Sequence, residues 1–213
     1  MLIQNQVGPV ATTTTSISAG LQSPARAGQL GDTIVSELHG RYYETNYRRN
    51  KFYGSNGAVP SVTTVALATT YTGLCLYNPA GSTINCSIDK VGISFLVAFA
   101  AASTVGLMVG YSAAGIVTAS AAASPGASSY GGIGAAPQGK VALSATLVGT
   151  PTLHTVFGEG LTGAITTTPQ IYSLYDMEGS VILPPGAYAA IYTSTASGAA
   201  SLAASFQWEE IPL

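Results

Sequence analysis

Two histidines, His39 and His154, and two cysteines, Cys75 and Cys86, are the side chains of this 213-residue chain with the most chemistry to offer. A serine hydrolase needs a histidine beside a serine and a carboxylate behind the histidine. Gly110-Tyr111-Ser112-Ala113-Ala114 approximates a nucleophile elbow, but its fifth residue is Ala and no helical pattern follows. The order Ser112, His154, Asp176 also reverses the usual acid-then-histidine sequence. The order His39, Asp89, then Ser128 or Ser129 suits a chymotrypsin-like site, yet 22 serines supply such an order readily. Ser129 has no acidic neighbour before it, and His39 sits close to Arg41.

The carboxylates are sparse: Glu159, Asp176, Glu178, Glu209 and Glu210 span the C-terminal third. Asp176 with Glu178 has the composition of a glycosidase pair or a fragment of a calcium loop. Met177 and Gly179 make it read instead as a loop before the strand at Val181. Gly131-Gly132-Ile133-Gly134 lacks the Lys and Ser/Thr of a phosphate-binding loop. Two cysteines and two well-separated histidines do not make a zinc site. The chain therefore reads as a non-enzyme without cofactor or metal.

The elements that hold these residues follow from an unusual composition. Ala, Gly, Thr and Ser supply 103 of the 213 residues, and charged residues only 8%, against roughly 25% in an ordinary soluble protein. Apolar residues make up 47%, enough for a core, and the formal net charge is -2. That balance excludes a strongly basic nucleic-acid binder and an acidic tail protein. A surface of Ser, Thr, Asn and Gly carries little charge repulsion, so it favours association with neighbours. A secreted β-protein with a Thr/Ser coat has a similar composition. The first basic residue is Arg26, so the N-terminus reads as lacking a signal peptide.

From Ala58 onward the texture is β: about ten short runs, bounded by turn residues, predict an all-β, β-sandwich or jelly-roll-like domain over 57–213. Residues 112–139, rich in Ala, Ser and Gly, read as a long loop within it. The apolar run Val91–Tyr111 is long enough to span a bilayer. Its Val, Ile, Thr and Phe content favours strands, and Ser103-Thr104 divides it as a hairpin would, so no membrane span is expected. A hairpin about Pro79-Ala80-Gly81-Ser82 pairs Cys75 with Cys86 on one face. Two buried thiols suit that position, and a disulfide is geometrically conceivable.

Residues 1–56 read as an N-terminal arm and clamp. Ala11 to Ser16 has no periodicity, and five of the seven basic residues lie between Arg26 and Lys51. Asp32 can cap a helix through Ile34, Leu38 and Tyr42, although Gly40 makes an extended clamp an equal choice. Arg26, Arg41, Tyr42, Tyr43, Tyr47, Arg48, Arg49, Lys51, Phe52 and Tyr53 combine arginine with aromatics, the composition of protein-interface anchors. Single-stranded nucleic acid would use the same residue types. The balance from Arg26 to Lys51, five positive against three negative, argues for a protein partner instead.

Three blocks carry a family resemblance. Ala25-Arg26-Ala27-Gly28-Gln29-Leu30-Gly31-Asp32 to Arg41-Tyr42-Tyr43-Glu44 resembles the N-terminal region of structural proteins of tailed bacteriophages. So does Thr69-Thr70-Tyr71-Thr72-Gly73 running into Leu76-Tyr77-Asn78-Pro79-Ala80-Gly81-Ser82, and Ser205-Phe206-Gln207-Trp208-Glu209-Glu210 is similar to the last strand of such domains. The resemblance implies a head decoration, or cement, protein: a homo-oligomer, dimeric or trimeric, on the outside of the virion capsid and assembled in the host cytoplasm. Its partner would be the major capsid protein, whose neighbouring copies it bridges and stabilises. The alternative is a tail or fibre module binding a host glycan, for which Tyr130 is the exposed aromatic candidate.

Overall fold

A computed structural model describes residues 40–56, 61–63, 66–97, 99, 101–113, 117–122, 126–160, 172–197 and 202–213. Two compact units divide the chain, Met1–Tyr43 and Glu44–Leu213. Of the first, Gly40–Tyr43 are described; the segment 1–39, with Arg26, His39 and the expected helix start at Asp32, lies outside the described residues.

Alternation of apolar and polar residues with β-branched and aromatic content generates the strands of the second unit. After a five-residue helix α1 (Tyr43–Tyr47) come β1 (Lys51–Ser55), β2 (Thr70–Tyr77), β3 (Ile84–Phe95), β4 (Ser103–Tyr111), β5 (Thr118–Ala122) and β6 (Ala127–Ser128). They are followed by β7 (Lys140–Thr146), β8 (Thr152–Gly160), β9 (Tyr172–Leu183), β10 (Ala187–Thr193) and β11 (Leu202–Pro212). One sheet has the order β6-β1-β11-β3-β9 and the other β5-β7-β2-β10-β4-β8. All pairings are antiparallel, and the domain is an all-β sandwich.

The core between the sheets is the inward half of each alternation. Leu202, Ala204, Phe206 and Trp208 of β11 meet Leu74 and Leu76 of β2, Leu107 of β4, and Ala189 and Ile191 of β10. Burying side chains of this size contributes about 1.5–3 kcal/mol each relative to exposure. Gly54 of β1 lies against Val141 of β7, and Phe157 of β8 stacks on Tyr175 of β9 with centroids 4.0 Å apart. These two contacts define opposite sides of the sandwich.

Three connections differ from the sequence reading. First, β2 and β3 are not a hairpin: β2 pairs with β7 and β10, and β3 with β9 and β11. The Asn-Pro-Ala-Gly-Ser turn is an arch from one sheet to the other. Asn78 ties it down, donating through Nδ2 to Ile84 O (2.7 Å) and Leu183 O (2.9 Å) and accepting from Ser82 through Oδ1. Cys75 and Cys86 therefore lie in different sheets as free, buried thiols. Second, β3 and β4 also lie in different sheets; the run 91–111 breaks at 96–102, and Ser103 opens β4 rather than dividing a hairpin. No helix among the described residues is long and apolar enough to cross a membrane. Third, the segment 112–139 contributes β5 and β6, one edge strand to each sheet.

A second apolar cluster covers the outer face of the six-stranded sheet: Tyr71, Cys75, Met108, Ala142, Leu147, Tyr188 and Ala190. The link from β7 to β8 explains it. Three strands separate them, four spacings of about 4.8 Å, and the six steps from Thr146 to Thr152 reach at most roughly 21 Å. Residues 147–151 must then cross the sheet diagonally as a strap. Tyr188 Oη donates to Val148 O on that strap (3.0 Å), and Leu147 N donates to Thr69 O (2.8 Å). The tyrosines lie flat over glycines: a Cβ at Gly110 would collide with the Tyr188 ring, and one at Gly73, whose φ is 123°, with the Tyr71 hydroxyl.

Candidate protein interface

The Arg/Tyr segment leaves α1 by a left-handed turn. Arg49 N donates to Asn46 O (2.9 Å) and Asn50 N to Thr45 O (3.0 Å), which places Arg49 at φ 62°. Glycine or asparagine usually ends a helix this way, and for a residue with a larger side chain the conformation costs about 1–2 kcal/mol. The turn delivers the chain into β1, which pairs with β11 from Lys51↔Glu209 to Ser55↔Ser205, and with β6 through Phe52↔Ser128 and Tyr53↔Ala127.

The β6 pairing brings a distant turn to the same place. Ser129 N donates to Lys51 O (2.8 Å), and Ile133 N to Tyr130 O (3.1 Å), closing a tight loop over Ser128. The Arg49 guanidinium lies over the Tyr130 ring, 5.3 Å from its centroid. Tyr47, Tyr53, Tyr130 and Ile133 are all exposed large side chains, and Arg48 and Arg49 are exposed beside them. At this edge of the five-stranded sheet a hydrogen-bonded turn and two paired strands therefore present three phenols, an isoleucine and two guanidiniums.

Of the ten interface residues expected from sequence, four are clearly exposed on this body, Tyr47, Arg48, Arg49 and Tyr53, and Tyr43 is exposed in the first unit. Arg41, exposed and over the ring of half-buried Tyr42 (5.4 Å), belongs to the first unit. Lys51 and Phe52 depart from the expectation. Phe52 faces the core and packs on Trp208, centroids 6.1 Å apart. Lys51 is 3% exposed, its ammonium joined to Asp89. Asp89 is the extra residue where the β3 register shifts between Ile88 and Lys90, and that bulge aims its carboxylate at Lys51. Glu209, directly across from Lys51, has its carboxyl pushed above the usual range by burial and by Asp89, with Lys51 acting against the rise. The body accordingly begins at Glu44, and the clamp runs into a strand that the fold requires. Tyr130 and Ile133 were missed as members of this cluster.

The residues with candidate chemistry stand apart. Ser112 follows the end of β4, its amide donating to Gly186 O (3.2 Å), with no elbow into a helix. His154 is exposed, with Nδ1 2.6 Å from Thr155 Oγ1. Asp176 accepts from the Glu178 amide at Oδ1 (3.1 Å), capping a bulge in β9. Asp89 is committed to Lys51, and the buried Ser128 hydroxyl accepts from Tyr130 N (3.2 Å). Burial pushes the Cys75 thiol up; burial, then the neighbouring Glu210 carboxylate, does the same at Cys86. Both are held as unreactive thiols. Glu210 instead accepts from Gly139 N (2.8 Å) and Trp208 Nε1 (3.3 Å), closing one end of the core. Among the described residues no group of three or more His, Cys, Asp or Glu is placed to hold a metal ion.

No protein-family model matches the chain, and neither a curated protein nor a solved structure does.

Proposed function

We propose that this chain is a structural virion protein that binds the outside of a phage capsid lattice and stabilises it by bridging neighbouring major capsid proteins. The observation that carries this reading is the exposure of Tyr47, Arg48, Arg49, Tyr53, Tyr130 and Ile133 on the hydrogen-bonded backbone of β1, β6 and their adjoining turns. Aromatics and arginine concentrate binding energy at the centres of protein interfaces, and preorganised backbone reduces the entropy lost on docking. The sequence resemblance to tailed-phage structural proteins supplies the identity of the partner. The 8% charged composition suits a subunit that spends its life among neighbours.

The opposite side of the sandwich supports association between copies as well. There β8 and β9 are the long edge strands, and Leu153, Val156, Leu174 and Ile182 are exposed along them. Exposed apolar edges are normally covered in soluble proteins. The glycan-binding alternative gains less, because Arg49 already covers one face of the Tyr130 ring.

The test is binding to heads of the encoding phage prepared without this protein. Wild-type protein is expected to saturate a fixed number of sites, and Tyr47→Ala with Tyr53→Ala to lower affinity at least about tenfold, with an unchanged circular dichroism spectrum. Heads that stay bare at saturating protein would contradict the reading.

A further inference from the structure

The geometry points to Arg49 and Tyr130 as a carboxylate clamp: a guanidinium held over an aromatic ring that docks an Asp or Glu side chain of the partner protein. The inference rests on the capsid-binding reading and names the chemistry of its contact. Three observations carry it. Arg49 occupies a left-handed position, φ 62°, at the end of α1, where glycine or asparagine would be less strained. Backbone strain of this kind persists where the surroundings impose it and clusters at ligand clamps. The strained turn sends the side chain across the patch: its Cδ is set against the turn at Gly134, and its guanidinium over the Tyr130 ring.

The second observation is electrostatic. Among the described residues no carboxylate pairs with Arg49, although its side chain is exposed with the guanidinium over the Tyr130 ring. Lys51, buried two residues further on, is by contrast matched by Asp89 within the fold. A guanidinium held over an aromatic face still has five N–H donors to offer, and its planar fork fits a carboxylate through two parallel hydrogen bonds.

The third is the surround. Tyr47 two residues before Arg49, Tyr53 beside β6 and Ile133 in the Tyr130 turn are also exposed, so a partner that covers this edge would exclude water from the pair. Excluding water raises the strength of a charge-assisted contact, and a ring of near-neutral neighbours is the usual setting of an interface hot spot. Nucleic acid fits less well. Phosphate tracking needs a run of cations, and this chain has seven Lys and Arg in all, against nine Asp and Glu.

The strain gives the test a signature that a merely structural arginine would not produce. Arg49→Gly relaxes the turn, so the free protein is expected to melt about 2–4 °C higher, the shift that one kcal/mol produces in a domain of this size. The same variant is expected to bind phage heads at least about tenfold more weakly. Arg49→Lys keeps the charge and loses the planar fork, and is expected to lose affinity too; Tyr130→Phe keeps the ring and the affinity. Wild-type affinity is expected to fall as salt rises, and a single-stranded DNA oligonucleotide in excess not to compete. If wild-type protein binds heads and Arg49→Gly binds equally well, the clamp is wrong while the capsid reading stands. Competition by the oligonucleotide would make the contact a phosphate site and overturn the carboxylate. If wild-type protein does not bind heads, both fall.

Discussion

A chain that starts at Gly57 is expected to lose the cooperative unfolding transition, whereas one that starts at Gly40 is expected to keep it. The cut at 57 falls beyond β1, and β1 is an interior part of the five-stranded sheet. It pairs with β11 over five residues and carries Phe52 into the core against Trp208. Just beyond it, Asn56 accepts from Ala204 N (2.9 Å) and donates to Leu202 O (2.5 Å), holding the start of β11. Losing a buried phenylalanine costs about 3–5 kcal/mol, and stranding the buried Asp89 carboxylate costs a similar amount, about 3–5 kcal/mol. Together these approach the roughly 5–15 kcal/mol that holds a domain folded. The cut at 40 leaves the unit Glu44–Leu213 whole. Urea titration followed by Trp208 fluorescence separates the two. A chain from Gly57 with the full-length midpoint would show that β1 is dispensable.

The second large effect is expected at the ion pair itself. Lys51→Ala leaves Asp89, 6% exposed, without its ammonium, and is expected to cost about 3–5 kcal/mol. Asp89→Asn should cost less, because the Lys51 ammonium keeps the Glu209 carboxylate directly across from it as a counter-charge and the new amide oxygen can still accept from it. The double variant Lys51→Met with Asp89→Leu should recover much of the single-site loss, since two packed apolar side chains replace a desolvated pair at little net cost. Chemical denaturation of wild type, Lys51→Met, Asp89→Leu and the double variant closes the cycle and gives the coupling energy directly. A loss under about 1 kcal/mol for Lys51→Ala, typical of exposed pairs, would mean that water reaches the pair. Because Lys51 is two residues from Arg49, loosening it should also weaken capsid binding.

Strand texture was legible in the sequence because period-2 alternation and β-branched content are local properties. The runs at Tyr71–Tyr77, Val105–Tyr111 and Leu202–Ile211 fall on β2, β4 and β11. Partner choice was not legible. Asn-Pro-Ala-Gly-Ser has turn chemistry that serves a hairpin and an inter-sheet arch equally. What selects the arch is Asn78, whose amide is satisfied by carbonyls of β3 and β9, residues that a two-strand reading does not bring together. The same limit explains 112–139: β5 and β6 are short and rich in Ala and Ser, so neither carries an apolar alternation of its own.

The interface was half legible. Tyr47, Arg48, Arg49 and Tyr53 drew notice by composition, which also swept in Lys51 and Phe52. Alternation places Phe52 opposite to Tyr53, and a single strand does not say which face is wet. Tyr130 and Ile133 reach the patch through the β1–β6 pairing, across some 75 residues of chain. A long-range contact of that kind leaves no local mark. The left-handed Arg49 had none either, since arginine is not a residue from which that conformation is expected.

The most direct measurement of the central claim, that a phage encodes this chain and carries it on its head, is immunogold electron microscopy of purified, intact particles from the lysate that contains the protein, using antibody to the sandwich. The account predicts gold on the outer surface of the head, at regular lattice positions and absent from the tail. Label confined to tail fibres, or absent from particles altogether while the protein is abundant in the lysate, would contradict it.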